Sequence, residues 1–147
     1  MKAQRGFTLV EIMIVLAIVM TLATLVISNV LRARHNANEI AAIASCRTIV
    51  TGCQTFYANI LPHTYPSGLS DLITPLSDPP YIDSVLASGT KQGYTFTYTM
   101  LNSESFNLNA DPVVPGKTGT RHFFVDETGI IKSSSKGQAG LNDPVVE

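Results

Sequence analysis

The sequence predicts an α+β protein: a long N-terminal helix, membrane-spanning in its first half, packed through its second half on a small antiparallel β-sheet head. Three observations carry this expectation. Apolar residues crowd into 7–31, where they fill 19 of 25 positions, although the whole 147-residue chain is an ordinary 45% apolar. All eight prolines lie at or beyond Pro62, and of ten glycines only Gly6 and Gly52 precede it. Proline costs about 3 kcal/mol and glycine about 1 inside a helix, so a stretch nearly free of both suits one long helix. After Pro62 come the Pro, Gly, Asn, Asp and Ser clusters of short strands and turns.

Charge divides the chain at the same place. Residues 1–61 carry a balance of +3 and residues 62–147 a balance of −4. A net charge of −1 disfavours a nucleic-acid binder. Outside 7–31 the chain is too lean in apolar residues for a uniform soluble enzyme. Two cysteines are too few for a disulfide scaffold and lack the spacing of a four-ligand zinc site.

From Ile12 to Met20 no polar residue intervenes. As a helix, residues 7–31 would span roughly 37 Å, enough for a bilayer core of about 30 Å. The remaining chain is too small and polar to bury such a helix on every side. The basic start Met1–Arg5 fits the n-region of a secretory signal, but the apolar run exceeds the usual 7–15 residues or so and no A-x-A-like site follows. Lys2 and Arg5 before the run balance Arg32 and Arg34 after it, so the positive-inside rule does not orient it.

Glu11 is the only charge between Gly6 and Arg32. An ionisable group within a span costs about 2.5–3.5 kcal/mol for comparable residues and marks a partner or a pathway. It lies four residues past Phe7. A chain beginning at Phe7 would place its α-amino cation within a turn of this carboxylate, and a neighbouring chain shifted along the axis could offer the same amine.

Gly6-Phe7-Thr8-Leu9-Val10-Glu11 followed by an apolar helix resembles the leader of type IV pilins and type II secretion pseudopilins. The resemblance implies cleavage by prepilin peptidase between Gly6 and Phe7, N-methylation of Phe7, and Phe7, Thr8 and Glu11 as assembly residues, with Glu11 neutralising the N-terminus of an adjacent subunit. The basic exit Asn29–Arg34 continues it. Many pilins carry glycine where this chain has Met20 and proline where it has Ser28, positions that let the helix unwind. Here the sequence favours an unbroken helix, in which Thr21, Thr24 and Ser28 can hydrogen-bond the preceding turn and bend it.

Ala42, Cys46, Ile49, Cys53, Phe56 and Ile60 form one apolar stripe at helical spacing, expected to pack on the sheet. Leu61-Pro62 ends the helix. The two thiols sit about 10.5 Å apart along the axis, too far for a mutual disulfide, and read as small buried hydrophobes. An intermolecular disulfide would require the stripe to be exposed.

In the head, Ser70–Leu76 and Tyr81–Leu86 read as helical turns around Pro75, Pro79 and Pro80, with Gly89 as a stop. Gly93–Met100 alternates as a half-buried strand with Tyr94, Phe96, Tyr98 and Met100 on one side, and Phe106–Ala110 alternates again. Arg121–Val125 and Thr128–Lys132 are expected to form a hairpin around 126–129. Three or four antiparallel strands result, in the order of the pilin head.

Catalytic and ligand motifs are weak. Pro115–Thr120 resembles the end of a P-loop, but Asp111 stands where the first glycine is required and a strand rather than a helix follows. His35, His63 and His122 are dispersed, surface or turn histidines without ligand spacing. Asp126 and Glu127 read as solvated turn acids. Some pseudopilins hold calcium in a carboxylate-rich loop; Asp78, Asp83 and Asp111 are scattered, so neither a metal nor any other cofactor is expected.

The expected organisation is a leader at 1–6, a transmembrane assembly segment at 7–31, an amphipathic helical half at 32–61 and the head at 62–147. The expected function is that of a non-enzymatic filament subunit. Its leading reading is a type IV pilus or pilus-like subunit; the alternatives are a type II secretion pseudopilin and a monomeric anchored periplasmic module. By the same resemblance, the precursor spans the inner membrane with its N-terminus cytoplasmic and its head periplasmic. Its partners are further copies, other pilins, membrane lipid, prepilin peptidase, assembly ATPases and a membrane platform; no nucleic acid is among them.

Overall fold

The structure, a computed structural model, describes residues 6–73 and 79–146, without the side chains of 25–28. Lys2, Arg5, the hydroxyl of Ser28, the end of the Ser70–Leu76 turn with Pro75, Asp78 and the terminal Glu147 lie outside the described residues. Helix α1 runs unbroken from Leu9 to Asn59. The chain divides into two compact units, Met1–Arg34 and His35–Glu147.

In the first unit, the described side chains of α1 are apolar nearly all round and exposed, as at Leu9, Met13, Ile18 and Leu22. A helix of this kind belongs in a lipid or protein interior. Thr21 Oγ1 donates to the Ala17 carbonyl at 2.8 Å and Thr24 Oγ1 to the Thr21 carbonyl at 2.8 Å, the back-bonds expected of them.

The second unit is the head. After α1 come a 3-10 turn (Leu69–Leu72), α2 (Ser84–Ala87), β1 (Thr90–Lys91), β2 (Tyr94–Asn102), β3 (Ser105–Pro112), β4 (His122–Asp126) and β5 (Lys132–Ser134). The strands make one antiparallel meander in the order β1-β2-β3-β4-β5. That is five strands instead of three or four. The two-residue β1 gave no alternation to read, and the last strand is displaced. It begins at Lys132, because Thr128 bonds the Asp126 carboxylate through both N–H and hydroxyl and Gly129 closes the turn at φ 76° onto the Asp126 carbonyl. These residues are therefore turn rather than ladder. The Tyr81–Leu86 turn is also shifted: α2 starts after Asp83, whose carboxylate caps the Leu86 N–H at 2.9 Å.

One sheet face presents Tyr94, Phe96, Phe106, Leu108, Ala110, Phe123 and Val125 to the predicted stripe of α1; Ala42, Cys46, Ile49, Cys53 and Phe56 are buried there and Ile60 packs against them. The opposite face is largely polar. Phe124 is buried on that face, where its register partner Asn109 donates to the carbonyl of buried Ala139.

Both cysteines are free and wholly buried. Burial pushes each thiol up to about 12, so neither is a thiolate at neutral pH. An intermolecular disulfide through this stripe is excluded by its burial. In native detergent solution a maleimide should label neither Cys46 nor Cys53 within an hour, and both after denaturation; rapid native labelling would contradict this packing.

Candidate functional site

The first candidate site is the start of α1. Gly6 and Phe7 precede the helix and are exposed, Phe7 to 81%, so a protease can reach the peptide between them. Thr8 is the residue before the first turn. Its hydroxyl accepts from the Glu11 N–H at 3.2 Å, and Glu11 Oε2 accepts from both the Thr8 N–H and the Thr8 hydroxyl, each at 2.9 Å. This is a reciprocal capping box, which satisfies donors that a helix start otherwise leaves open. The spacing Thr-x-x-Glu ahead of an apolar run is its sequence signature, so Glu11 is a helix cap as well as a charge. The carboxylate thus has one oxygen engaged by its own chain, while Oε1 has no hydrogen-bond partner among the described residues. Chemically it can accept a cation arriving from outside.

The head contains a second constellation that the sequence did not reveal. Glu39 is 7% exposed, and its Oε1 accepts from the Thr120 N–H at 3.0 Å and the Arg121 N–H at 3.2 Å. Its Oε2 takes the Arg121 Nε at 2.8 Å. Burial works to raise this carboxyl. The Thr120 N–H, the Arg121 side chain and N–H, and the Arg121 charge together outweigh burial and hold it below the ordinary carboxylate value. Asn38 adds a 2.8 Å bond to the Thr118 carbonyl. The loop so held is the P-loop-like stretch, and it is a closed turn: Gly116 N–H reaches the Gly119 carbonyl, and Lys117 N–H reaches that of Val114. Gly119 lies against Tyr94, whose ring a Cβ there would overlap.

His122 is not the solitary histidine expected: its Nδ1 lies 2.6 Å from Asp111 Oδ1. Asp126 is buried, not solvated, because its carboxylate is folded into the β4–β5 turn. His63 meets the Tyr57 carbonyl at 2.9 Å and stacks on that ring.

Residues 1–27 match the family model described as the prokaryotic N-terminal methylation motif. Over 145 residues the chain is 32% identical to the type II secretion system core protein G of Escherichia coli (strain K12), spanning 97% of this chain and 89% of that protein. The chain belongs to the type IV pilin and type II secretion pseudopilin family. No solved structure matches it.

A prepilin motif ahead of an apolar helix fits a membrane-anchored subunit of this family, and membership implies assembly into filaments with other pilins. Several acids of this pilin-family head are hydrogen-bonded within the chain. Asp111 faces His122, Asp126 faces Thr128, and Asp143 accepts from the Gly140 N–H at 2.8 Å. Lys132 Nζ donates to the Leu141 carbonyl at 2.6 Å and so ties down the C-terminal loop. Among the described residues no three His, Cys, Asp or Glu side chains converge on a point that could take a metal ion.

Proposed function

We propose that this chain is a pseudopilin of a type II secretion system, a structural subunit without catalytic activity. The observation that carries the reading is the identity with protein G along almost the whole chain, head included, which favours secretion over a surface pilus. The precursor sits in the inner membrane with its N-terminus cytoplasmic and its head periplasmic. Prepilin peptidase cuts between Gly6 and Phe7 and methylates the Phe7 amine. Assembly ATPases and a membrane platform then add subunits to the filament.

Polymerisation works through the apolar segment 7–31. Packed together, these helices bury each other's exposed apolar surface at about 25 cal/mol per Å². That burial is nearly indifferent to sliding, so it does not set the axial stagger. A charge does. A Phe7 ammonium surrounded by apolar helices is tolerated only where a carboxylate meets it, and Glu11 is the one carboxylate in the segment. Before assembly Glu11 is held by Thr8; in the filament it also receives the neighbour's amine.

Mass spectrometry of the membrane-extracted chain tests the processing, with a mature chain beginning at methylated Phe7 expected. Retention of residues 1–6 would defeat the reading. Deleting the gene should trap exported proteins in the periplasm and leave surface pili intact; the opposite pattern would return the chain to the pilus reading.

A further inference from the structure

An open sheet has two margins, each a row of backbone groups that a further strand can pair with. In this head the margins are β1 and β5. At the first, β1 is two residues long, and β2 beyond it shifts register between Met100 and Asn102. Short edge strands and irregular register both discourage pairing. At the second, β5 ends at Ser134 and the chain doubles back along it. Lys132 and Val145 are antiparallel partners there. They are flanked by the Ser133 N–H on the Pro144 carbonyl at 2.9 Å and the Val146 N–H on the Ile131 carbonyl at 2.8 Å. Residues 135–146 thus stand in the place of a sixth strand, and Pro144, which has no N–H, keeps the pairing short.

Side chains hold this strap along its length. Asn109 Nδ2 donates to the Ala139 carbonyl at 3.1 Å, and Lys132 Nζ reaches the Leu141 carbonyl. The strap closes its own turn through the Gly140 N–H on the Asp143 carboxylate and the Asp143 N–H on the Gly140 carbonyl at 3.2 Å. Val146 packs against the core cluster. The margin beneath is apolar as well as open-ended: Ile131 and Phe124 are 6% and 4% exposed. Stripped of the strap, Ser133 N–H and Ile131 C=O beside these side chains would be a template for another chain's strand.

We propose that the β5 margin is a strand-accepting surface that the chain fills with its own C-terminal strap, Lys132 acting as the clasp, so that a second copy cannot pair there. With the strap lifted, the complementary occupant is the same margin of another copy, the Ser133 N–H of each chain meeting the Ile131 C=O of the other. That register sets the two Lys132 side chains opposite each other, and like charges opposite destabilise a strand pair. Lys132 therefore guards the margin twice, as clasp and as charge. A pair of identical surfaces closes on itself and does not propagate. On the filament reading, such pairs would withdraw subunits from assembly, and the strap keeps them available.

The test uses the full chain in detergent with Lys132→Cys and Val145→Cys. Cα atoms of a flanked antiparallel pair of this kind lie about 4.5 Å apart, inside the roughly 4.4–6.8 Å range of disulfides, and Cys46 and Cys53 are buried away from exchange. Oxidised, the variant has a locked strap and should sediment as wild type does. Kept reduced by a phosphine, the same polypeptide lacks clasp and charge, and its dimer-to-monomer ratio should rise at least tenfold. A chain stopped after Lys136 and carrying Lys132→Met should dimerise likewise, and an excess of synthetic peptide with the sequence of residues 138–146 should return it to monomer. Wild type, its margin filled, should not bind that peptide. Equal ratios for the oxidised and reduced forms would overturn the proposal, as would a shortened chain that keeps its native near-UV circular dichroism and stays monomeric. If the shortened chain loses that signal, the locked and unlocked forms decide. Absence of wild type from filaments would defeat the filament reading and leave the strap result standing.

Discussion

Glu11→Ala should leave the head folded and the chain in the membrane but remove it from filaments. On the proposed assembly, the variant would strand the neighbour's Phe7 ammonium in the apolar segment that holds Leu9, Val10, Met13 and Ile14. An unpaired charge in such surroundings costs about 2.5–3.5 kcal/mol on insertion scales, on the order of a hundredfold in each subunit's addition. Loss of the capping box costs less, about 1 kcal/mol, and only frays the first turn. Glu11→Gln separates the two effects. It keeps an oxygen for the Thr8 N–H and hydroxyl and loses only the charge, so it should fail in assembly almost as badly as alanine. Quantitative immunoblotting of sheared filaments against the membrane fraction reads this out. Normal incorporation of the glutamine variant would remove charge neutralisation from the mechanism and leave Glu11 as a helix cap.

Glu39→Ala should destabilise the head by removing one acceptor that serves several donors. It removes the acceptor of the Thr120 and Arg121 N–H groups beside a carboxylate that is itself buried, at up to about 1–3 kcal/mol. The lost ion pair adds little, because Arg121 is 42% exposed and can be rehydrated. A total of about 2–3 kcal/mol corresponds to a fall in Tm of roughly 10 °C, measurable by near-UV circular dichroism of the detergent-solubilised full chain. The effect is also pH-dependent. The folded-state carboxyl lies below its unfolded value of about 4.3, so its stabilisation is complete above that pH and is lost as pH falls through the folded value. The gap in Tm between wild type and Glu39→Gln should therefore shrink as pH drops below about 4. A gap that widens on acidification would contradict the assigned hydrogen bonds.

These two glutamates show how legible the chain was. Glu11 stands out in the sequence because it interrupts an apolar run at a fixed distance from a Gly-Phe junction, and everything that makes it conspicuous lies within a few residues. Glu39 looks like any polar residue on a helix. Its partners are 81 and 82 positions away and become neighbours only when the β3–β4 loop folds onto α1. The same division runs through the head. The alternation of Tyr94–Met100 and Phe106–Ala110 showed β2 and β3 directly, since a strand's side chains change face at every residue. The last strand begins four residues later than the pattern after Val125 predicts, because Thr128 turns back on Asp126, a side-chain contact that no hydrophobic pattern records.

What the sequence alone determined, then, is what depends on composition and local period: the long apolar helix, the family motif at its start, the stripe of α1 with its buried cysteines, and the α+β class. Tertiary structure decided which polar groups meet. It placed Glu39 under Arg121, Asp111 beside His122 and the Lys132 ammonium on the Leu141 carbonyl. The physical reason is range. Hydrophobic periodicity is set by neighbours three or four positions apart, whereas the pairing of charges is set by strand order, which brings together residues that the sequence keeps far apart.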